Sequence, residues 1–279
     1  MLYIIIPVFN RKEFTRNCLI SLREQTYTYF KVIIVDDGST DGTSDMLVVE
    51  FPEVTIIHGD GNLWWTASIN RGIELAIKEN AIQILTLNND TIAPPDFLEK
   101  MIVGAASKPD SLIGALAIDH GTGKPVYGGG HFNWMTVNIS LLLNSLKEME
   151  WNGLHEVDHF PGRGLLIPRN VFDTIGLFNE KQLPHYFADY DFTHQAFKKG
   201  FKIYCNYDAK LITFPEESGD RKNRDKKTYK KYYGHLFGIK GGGNLKNFSI
   251  FAWRNCPWYL LPTYLTIGYL RRVFGYWIK

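Results

Sequence analysis

Four apolar runs in the first 90 residues alternate with stretches whose apolar residues recur at helical spacing, and this alternation restricts the chain more than any other feature. "LYIII" (2–6), "KVIIVDD" (31–37), "VTIIHG" (54–59) and "IQILTL" (82–87) read as strands. Between them, "EFTRNCLISLREQ" puts Phe14, Cys18, Leu19 and Leu22 on one helical face. "GTSDMLVVEF" reads as a short helix capped by Thr40 or Asp41, and "ASINRGIELAIKEN" lines up Ile69, Ile73, Ala76 and Ile77. "PPDFLEKMIVGA" opens on prolines and turns helical. Strand–helix alternation predicts an α/β fold with right-handed crossovers and a central, mostly parallel sheet flanked by helices. Ligands of such sheets bind beyond the carboxyl ends of the strands. "VDDGSTDGT", "GDGNLWW" and "LNND" all fall there.

The remainder is less regular. Residues 120–160 are glycine-rich ("YGGGHF") and predict loops or a short hairpin. "GRGLLIPRNVFDTIGLFNE" returns to strand then helix, and "ADYDFTHQAFKKGFKIY" to helix, glycine stop and strand. After about 215 the character changes. "RKNRDKKTYKK" (221–231) holds seven basic residues and one acid, "IKGGGN" is a flexible break, and an aromatic, apolar tail interrupted by Pro257 and Pro262 follows.

Composition excludes several classes. A net charge of +2 gives no global pull toward nucleic acid. Aromatics, at 14%, suit sugar clefts and membrane interfaces, but equally a core. Cys18, Cys205 and Cys256 are odd in number and far apart, which predicts neither a disulfide framework nor a metal site and suits a reducing cytoplasm. "MLYIIIPVFN" lacks the basic start of a signal peptide, and no apolar stretch of about 18 residues predicts a membrane span.

The first βα turn, "IPVFNRKEF", lacks the glycine fingerprint of a dinucleotide site. Asp36 and Asp37 could bond a ribose or base edge, or form a polar turn whose Asp41 caps the next helix. "TLNND" (86–90) reads as a strand-ending turn, or as a metal corner with one acid.

Five blocks in one order carry a resemblance. "PVFNR", "VIIVDDGSTDGT", "GNLWWTASINRGIELA", "LTLNNDTIAPPDFL" and "GRGLLIPRNVFDTIGLFNE" with "YFADYDFTHQAFKKGFK" together resemble a family 2 glycosyltransferase over residues 1–215, closest to bacterial rhamnosyltransferase-like members that build surface polysaccharides. The resemblance implies a GT-A fold with a nucleotide-sugar-binding half (1–95), an acceptor half (96–215) and a basic, aromatic C-terminal helical extension (216–279). It implies inverting transfer from a UDP-, dTDP- or GDP-sugar to a glycan or lipid-linked acceptor. Pro7, Phe9 and Asp37 would line the nucleoside pocket, and Trp64 and Trp65 would stand near nucleotide and sugar. Asn10, Arg11, Asp36, Asn62, Asn88 and Asn89 complete the expected donor site, with Arg71 facing either a phosphate or solvent. Asp90 would bind Mg²⁺ or Mn²⁺, because a departing diphosphate needs its charge neutralised. Asp189 would be the base that deprotonates the acceptor hydroxyl, and Arg163, Gly164 and Asp191 would bind the acceptor. Asp189 and Asp191 read without the resemblance are helix-capping acids.

The chain departs from the family pattern at three places. Asn88-Asn89-Asp90 has one acid where two are usual, Ala188 replaces an acid beside the base, and Thr213 and Phe214, followed by Glu216 and Glu217, stand about where a histidine ligand is common. One aspartate suffices where Mg²⁺ keeps waters and takes ligands from the substrate's phosphates. The competing functions are a nucleotidyltransferase, which wants a Gly-rich basic loop this chain lacks, and an inactive glycan-binding homologue. The tail predicts peripheral contact with the inner face of the membrane through 221–279, with Arg271, Arg272 and Lys279 toward headgroups; the rival uses are packing on the catalytic domain or a homodimer contact, and for the seven basic residues of 221–231 a pyrophosphate clamp or a solvated face.

Overall fold

A computed structural model of the chain describes residues 1–217 and 227–278. β1 (Leu2–Val8) lies at the centre of a ten-stranded sheet, parallel to β2 (Phe30–Asp36) on one side and β4 (Gln83–Thr86) on the other, with β3 (Thr55–His58) parallel beyond β2. β1 is apolar throughout because both its faces are covered. Leu2, Ile4, Ile6 and Val8 pack into one core with α1 (Lys12–Arg23), α2 (Thr43–Glu50) and α4 (Phe97–Ser107). Tyr3 and Ile5 point into a second core with α3 (Trp64–Lys78), α5 (Arg169–Ile175) and α6 (Ala188–Lys198). A Cβ on Gly72 would lie 2.3 Å from Ile5 Cγ2, so only glycine lets α3 come this close to β1.

The same sheet continues through both predicted halves. β11 (Leu165–Pro168) runs antiparallel between β4 and β6 (Leu112–Asp119). β12 (Ile203–Thr213) is parallel to β6 and pairs antiparallel with β5 (Thr91–Ile92) and β10 (Leu154–Val157). β7 (Pro125–Tyr127) adds to β6, and β8 (Gly130–Asn133) with β9 (Asn138–Leu141) forms the hairpin expected in the glycine-rich middle. All three cysteines are free and buried.

The tail forms three helices: α7 (Tyr229–Phe237), α8 (Leu245–Asn255) and α9 (Leu261–Ile278). Pro262 sits in the first turn of α9, where its missing N–H costs nothing, rather than breaking it. Two of the arginines expected to face headgroups are used by the protein itself. The Arg272 guanidinium lies 3.6 Å from the Phe248 ring centre, and burial pushes its pKa down to about 10. Arg271 donates to the Val137 carbonyl at 3.0 Å and to Asn138 Oδ1 at 2.6 Å. The Phe248 ring on α8 holds Arg272, and hydrogen-bond acceptors at the β8–β9 hairpin hold Arg271. Lys279 and residues 221–226 of the basic run lie outside the described residues. Among the described residues no helix is long and apolar enough to cross a membrane.

Candidate active site

The carboxyl ends of β1, β2 and β4 and the loop before α3 open onto a cleft of about 470 Å³, a volume in the range of small-molecule sites. Pro7, Phe9 and Arg11 line it from β1, Asp37 from β2, and Asn88, Asn89 and Asp90 from β4. Trp64, Trp65 and Ser68 enter from α3, Arg163 from the turn before β11, and Asp189 from the first turn of α6. The β4 end meets the adjacent turn through the Thr86 hydroxyl, which donates to the Gly162 carbonyl at 2.5 Å.

The backbone is forced at three points around this cleft. Arg11, Trp64 and Phe187 have φ of 65°, 58° and 72°, left-handed values that cost a bulky residue about 1–3 kcal/mol each. Phe187 immediately precedes α6 and so aims Asp189; Arg11 and Trp64 line the cleft directly.

Asp189 is held by backbone donors. Gly162 N–H donates to its Oδ2 at 3.1 Å and Tyr190 N–H to its Oδ1 at 2.9 Å. Burial outweighs these bonds and raises its pKa above the ordinary aspartate value, which makes the carboxylate a stronger base. Asp90 Oδ2 accepts from Arg11 Nη1 at 2.7 Å, while Arg11 Nη2 donates to the Glu217 carbonyl at 2.6 Å and lies 3.7 Å from its carboxylate. His185 also lines the cleft; burial first, then the charge of Lys240, push its pKa down to about 4, and its Nδ1 is buried without a partner.

The Asp90 corner suits a divalent cation in its chemistry. Its two carboxylates, Asp90 and Glu217, are hard oxygen donors, and Arg11 stands between them as their counter-ion. No group of three His, Cys, Asp or Glu is placed to hold a metal among the described residues. A cation at this corner would need waters and substrate phosphates as its further ligands, with Asp90 as the expected protein ligand.

Several expected site residues serve the fold instead. Asp36 does not line the cleft: it accepts from Ser39 N–H at 3.0 Å and from the Ser44 hydroxyl, closing the turn after β2. Asn10 accepts from Thr40 N–H at 2.8 Å while its own N–H donates to Ser39 Oγ at 2.7 Å, tying the β1 and β2 loops together. Asn62 is exposed beside the cleft, its N–H donating to Asp60. Gly164 is a backbone position: φ is 72°, and a Cβ would meet Leu211 at 2.8 Å. Asp191 is buried and accepts from Arg254 Nε at 2.9 Å and Asn255 Nδ2 at 2.7 Å, so it anchors α8 rather than contacting a ligand in the cleft. Asp37 does line the cleft, but its oxygens accept from the N–H groups of Gly61, Leu63 and Trp64 at 2.9–3.2 Å and shape the start of α3. Arg71 is exposed and outside the cleft.

Sequence reasoning passed over Ser68, His185, Tyr186 and Lys240. His185 and Tyr186 lie within the quoted "HYFADYDF", next to the base, so proximity could have found them. Nothing local marks Lys240, which arrives from the extension.

The comparisons agree with this geometry. The model of the family described as "Glycosyl transferase family 2" matches residues 3–174. The PGL/p-HBAD biosynthesis glycosyltransferase of Mycobacterium bovis is 27% identical over 207 residues, 71% of this chain and 70% of that protein. EpsH of Bacillus subtilis, also named as a glycosyltransferase, is 33% identical over 114 residues, 39% of this chain; the match spans only 32% of that relative's length. Crystalline S. aureus TarS 1–349 in complex with UDP-GlcNAc has the same fold, with a TM-score of 0.61 at 15% identity over 98% of this chain and 72% of that one. With the mixed sheet and its flanking helices, this likeness makes the architecture GT-A. Because the family match covers well over half of its residues, the chain belongs to glycosyl transferase family 2.

Proposed function

We propose that the chain transfers a hexosyl or deoxyhexosyl group from a nucleotide-diphosphate sugar to a hydroxyl of a glycan or lipid-linked acceptor, with inversion. One observation carries this reading: Asp189, a carboxylate with a raised pKa, shares a cleft at the strand ends with the Asp90–Arg11 corner. The acceptor oxygen attacks the anomeric carbon, its proton passes to Asp189, and the bond to the phosphate oxygen breaks as the nucleoside diphosphate leaves. A single displacement of this kind inverts the anomeric centre. Trp64, Trp65 and Phe9 offer aromatic faces to the donor, and UDP-GlcNAc in TarS supports a nucleotide sugar as that donor. A Mg²⁺ or Mn²⁺ ion held by Asp90 would supply charge neutralisation for the diphosphate.

The setting we infer is cytoplasmic, in assembly of a cell-surface polysaccharide. Trp253, Trp258, Tyr259 and Phe274 are exposed on the extension and favour peripheral contact with the inner membrane face, where lipid-linked acceptors lie. Failure of the full chain to sediment with anionic liposomes at low salt removes that contact.

The decisive experiment screens UDP-, dTDP- and GDP-sugars with Mn²⁺ for binding and donor turnover, comparing the wild type with Asp189→Asn. The expected result is a donor that both proteins bind and only the wild type transfers. A glycan-binding protein without activity would show no turnover in either, and a nucleotidyltransferase would consume the donor only when pyrophosphate is added, giving nucleoside triphosphate and sugar 1-phosphate.

A further inference from the structure

Lys240 lies on the turn between α7 and α8, remote in sequence from the family blocks, yet it lines the cleft. The turn is closed by its own backbone. Gly238 N–H donates to the Gly234 carbonyl at 2.8 Å, Gly241 N–H to Gly238 at 2.9 Å, and Asn244 N–H to Gly241 at 3.0 Å. A Cβ on Gly241 would lie 2.3 Å from the His235 carbonyl, and one on Gly243 would lie 2.1 Å from His235 Nε2. The glycines therefore let the turn fold back on the end of α7, and Lys240 is the side chain that this fold delivers to the cleft.

Its ammonium rests 5.2 Å from the Trp64 ring centre and 5.7 Å from that of Phe9. No carboxylate pairs with it among the described residues. Arg11 already spends its charge on Asp90 and Glu217, and His185 is held neutral beside it. A cation left on two aromatic faces inside a cleft is held weakly enough to move to an anion. Phe9 and Trp64 place it on the β1 and α3 side, the nucleotide side of the cleft, with Arg11 from the same strand end.

We infer that Lys240 binds the diphosphate of the nucleotide donor, so that the C-terminal extension completes the donor site. This rests on the nucleotide-sugar reading above. The bland role for the same residue is a cation–π clamp that only fastens the extension to the catalytic domain.

The test uses the full chain, as wild type, Lys240→Met and Lys240→Arg. With Mn²⁺ present, each is titrated calorimetrically with UDP, dTDP and GDP and with uridine, thymidine and guanosine, and each is melted without nucleotide. For the diphosphate that the wild type binds, Lys240→Met should lose roughly tenfold or more in affinity, the size of one charge-assisted hydrogen bond. Affinity for the matching nucleoside and the melting temperature should stay unchanged, and Lys240→Arg should keep most of the diphosphate affinity. Unchanged diphosphate binding by Lys240→Met overturns the inference alone. Equal losses for nucleoside and diphosphate with a lower melting temperature overturn it in favour of the clamp. A wild type that binds none of the three diphosphates overturns the nucleotide-sugar reading and this inference with it.

Discussion

Gly162→Ala should cripple transfer through a single methyl group. Gly162 N–H holds Asp189 Oδ2, and its carbonyl accepts from Thr86, so this residue joins the base to the β4 strand end. A Cβ built there lies 2.3 Å from Trp65 Cη2 and Cζ2 and 3.6 Å from Asp189 Cβ. Carbon pairs prefer about 3.5–4.0 Å, so the overlap with the indole is at least about 1.2 Å. Trp65 has little room to give: its Nε1 donates to Asn88 Oδ1 at 3.1 Å and its ring packs edge-on against Phe178 with centroids 5.6 Å apart. Either the indole or the 161–163 turn must move by about an ångström. Overpacking of this kind costs about 1–3 kcal/mol, and displacement of a reacting group by about 1 Å costs on the order of 10²-fold in rate. The measurement is kcat for sugar transfer together with a thermal melt, for Gly162→Ala, Trp65→Phe and the double variant. Shrinking the indole removes the atoms that the methyl meets, so the double variant should lose less than the two single losses combined. Strict additivity, or a Gly162→Ala variant with wild-type kcat and melting temperature, would refute the steric account.

Asp189→Asn should lower kcat about 10²–10⁴-fold while nucleotide binding persists. The sign for stability follows from its raised folded pKa: the protonated form is favoured, its contribution is full below the unfolded value and lost as pH rises through the folded one. At pH 7 the neutral amide removes the cost of the buried charge but accepts from only one of the two N–H groups, so its melt should stay close to that of the wild type; wild-type kcat should fall as acid protonates the base, and a flat acid limb would count against Asp189 in that role. His185 works in the opposite sense: its depressed value, about 4, favours the neutral ring, so stability is lost as pH falls from about 6.5 toward 4. Melts across that range should fall less steeply for His185→Gln, and identical slopes would remove the residue from the account. Arg254→Ala strands the buried Asp191 carboxylate with Asn255 as its remaining side-chain partner; because Arg254 is 37% exposed, the expected cost is about 1–3 kcal/mol, below that of a fully buried pair. A denaturant titration checks it. Mn²⁺ titrated into the wild type should bind measurably only with nucleoside diphosphate present, and Asp90→Asn should abolish that binding; tight binding to the free protein would contradict a corner that relies on substrate oxygens.

The early strands and helices were legible because each carries its own period. β1 is apolar at every position for a local reason, the burial of both faces, and the adjacent helices show one apolar stripe each. The strand ends were legible as a site for the same reason: a sheet of this order leaves its polar turns on one edge, and Phe9, Asp37 and Asp90 do line one cleft. Roles within the turns were not legible. Asp36 and Asp37 are neighbours of one type, yet Asp36 closes a turn outside the cleft while Asp37 lines it and orders the start of α3. Asp189 and Asp191 are two residues apart on α6, which turns the second carboxylate away toward Arg254.

By itself, then, the sequence determined the alternating architecture, the family and the loops that hold the chemistry, since periodicity and motif order are carried by neighbouring residues. Only the tertiary structure decided which side chains meet. It paired Arg11 with Asp90, turned Arg271 and Arg272 onto the protein, and brought Lys240 from the extension into the cleft, over Trp64. Those choices depend on packing and charge between segments far apart in the chain, and no local pattern records them.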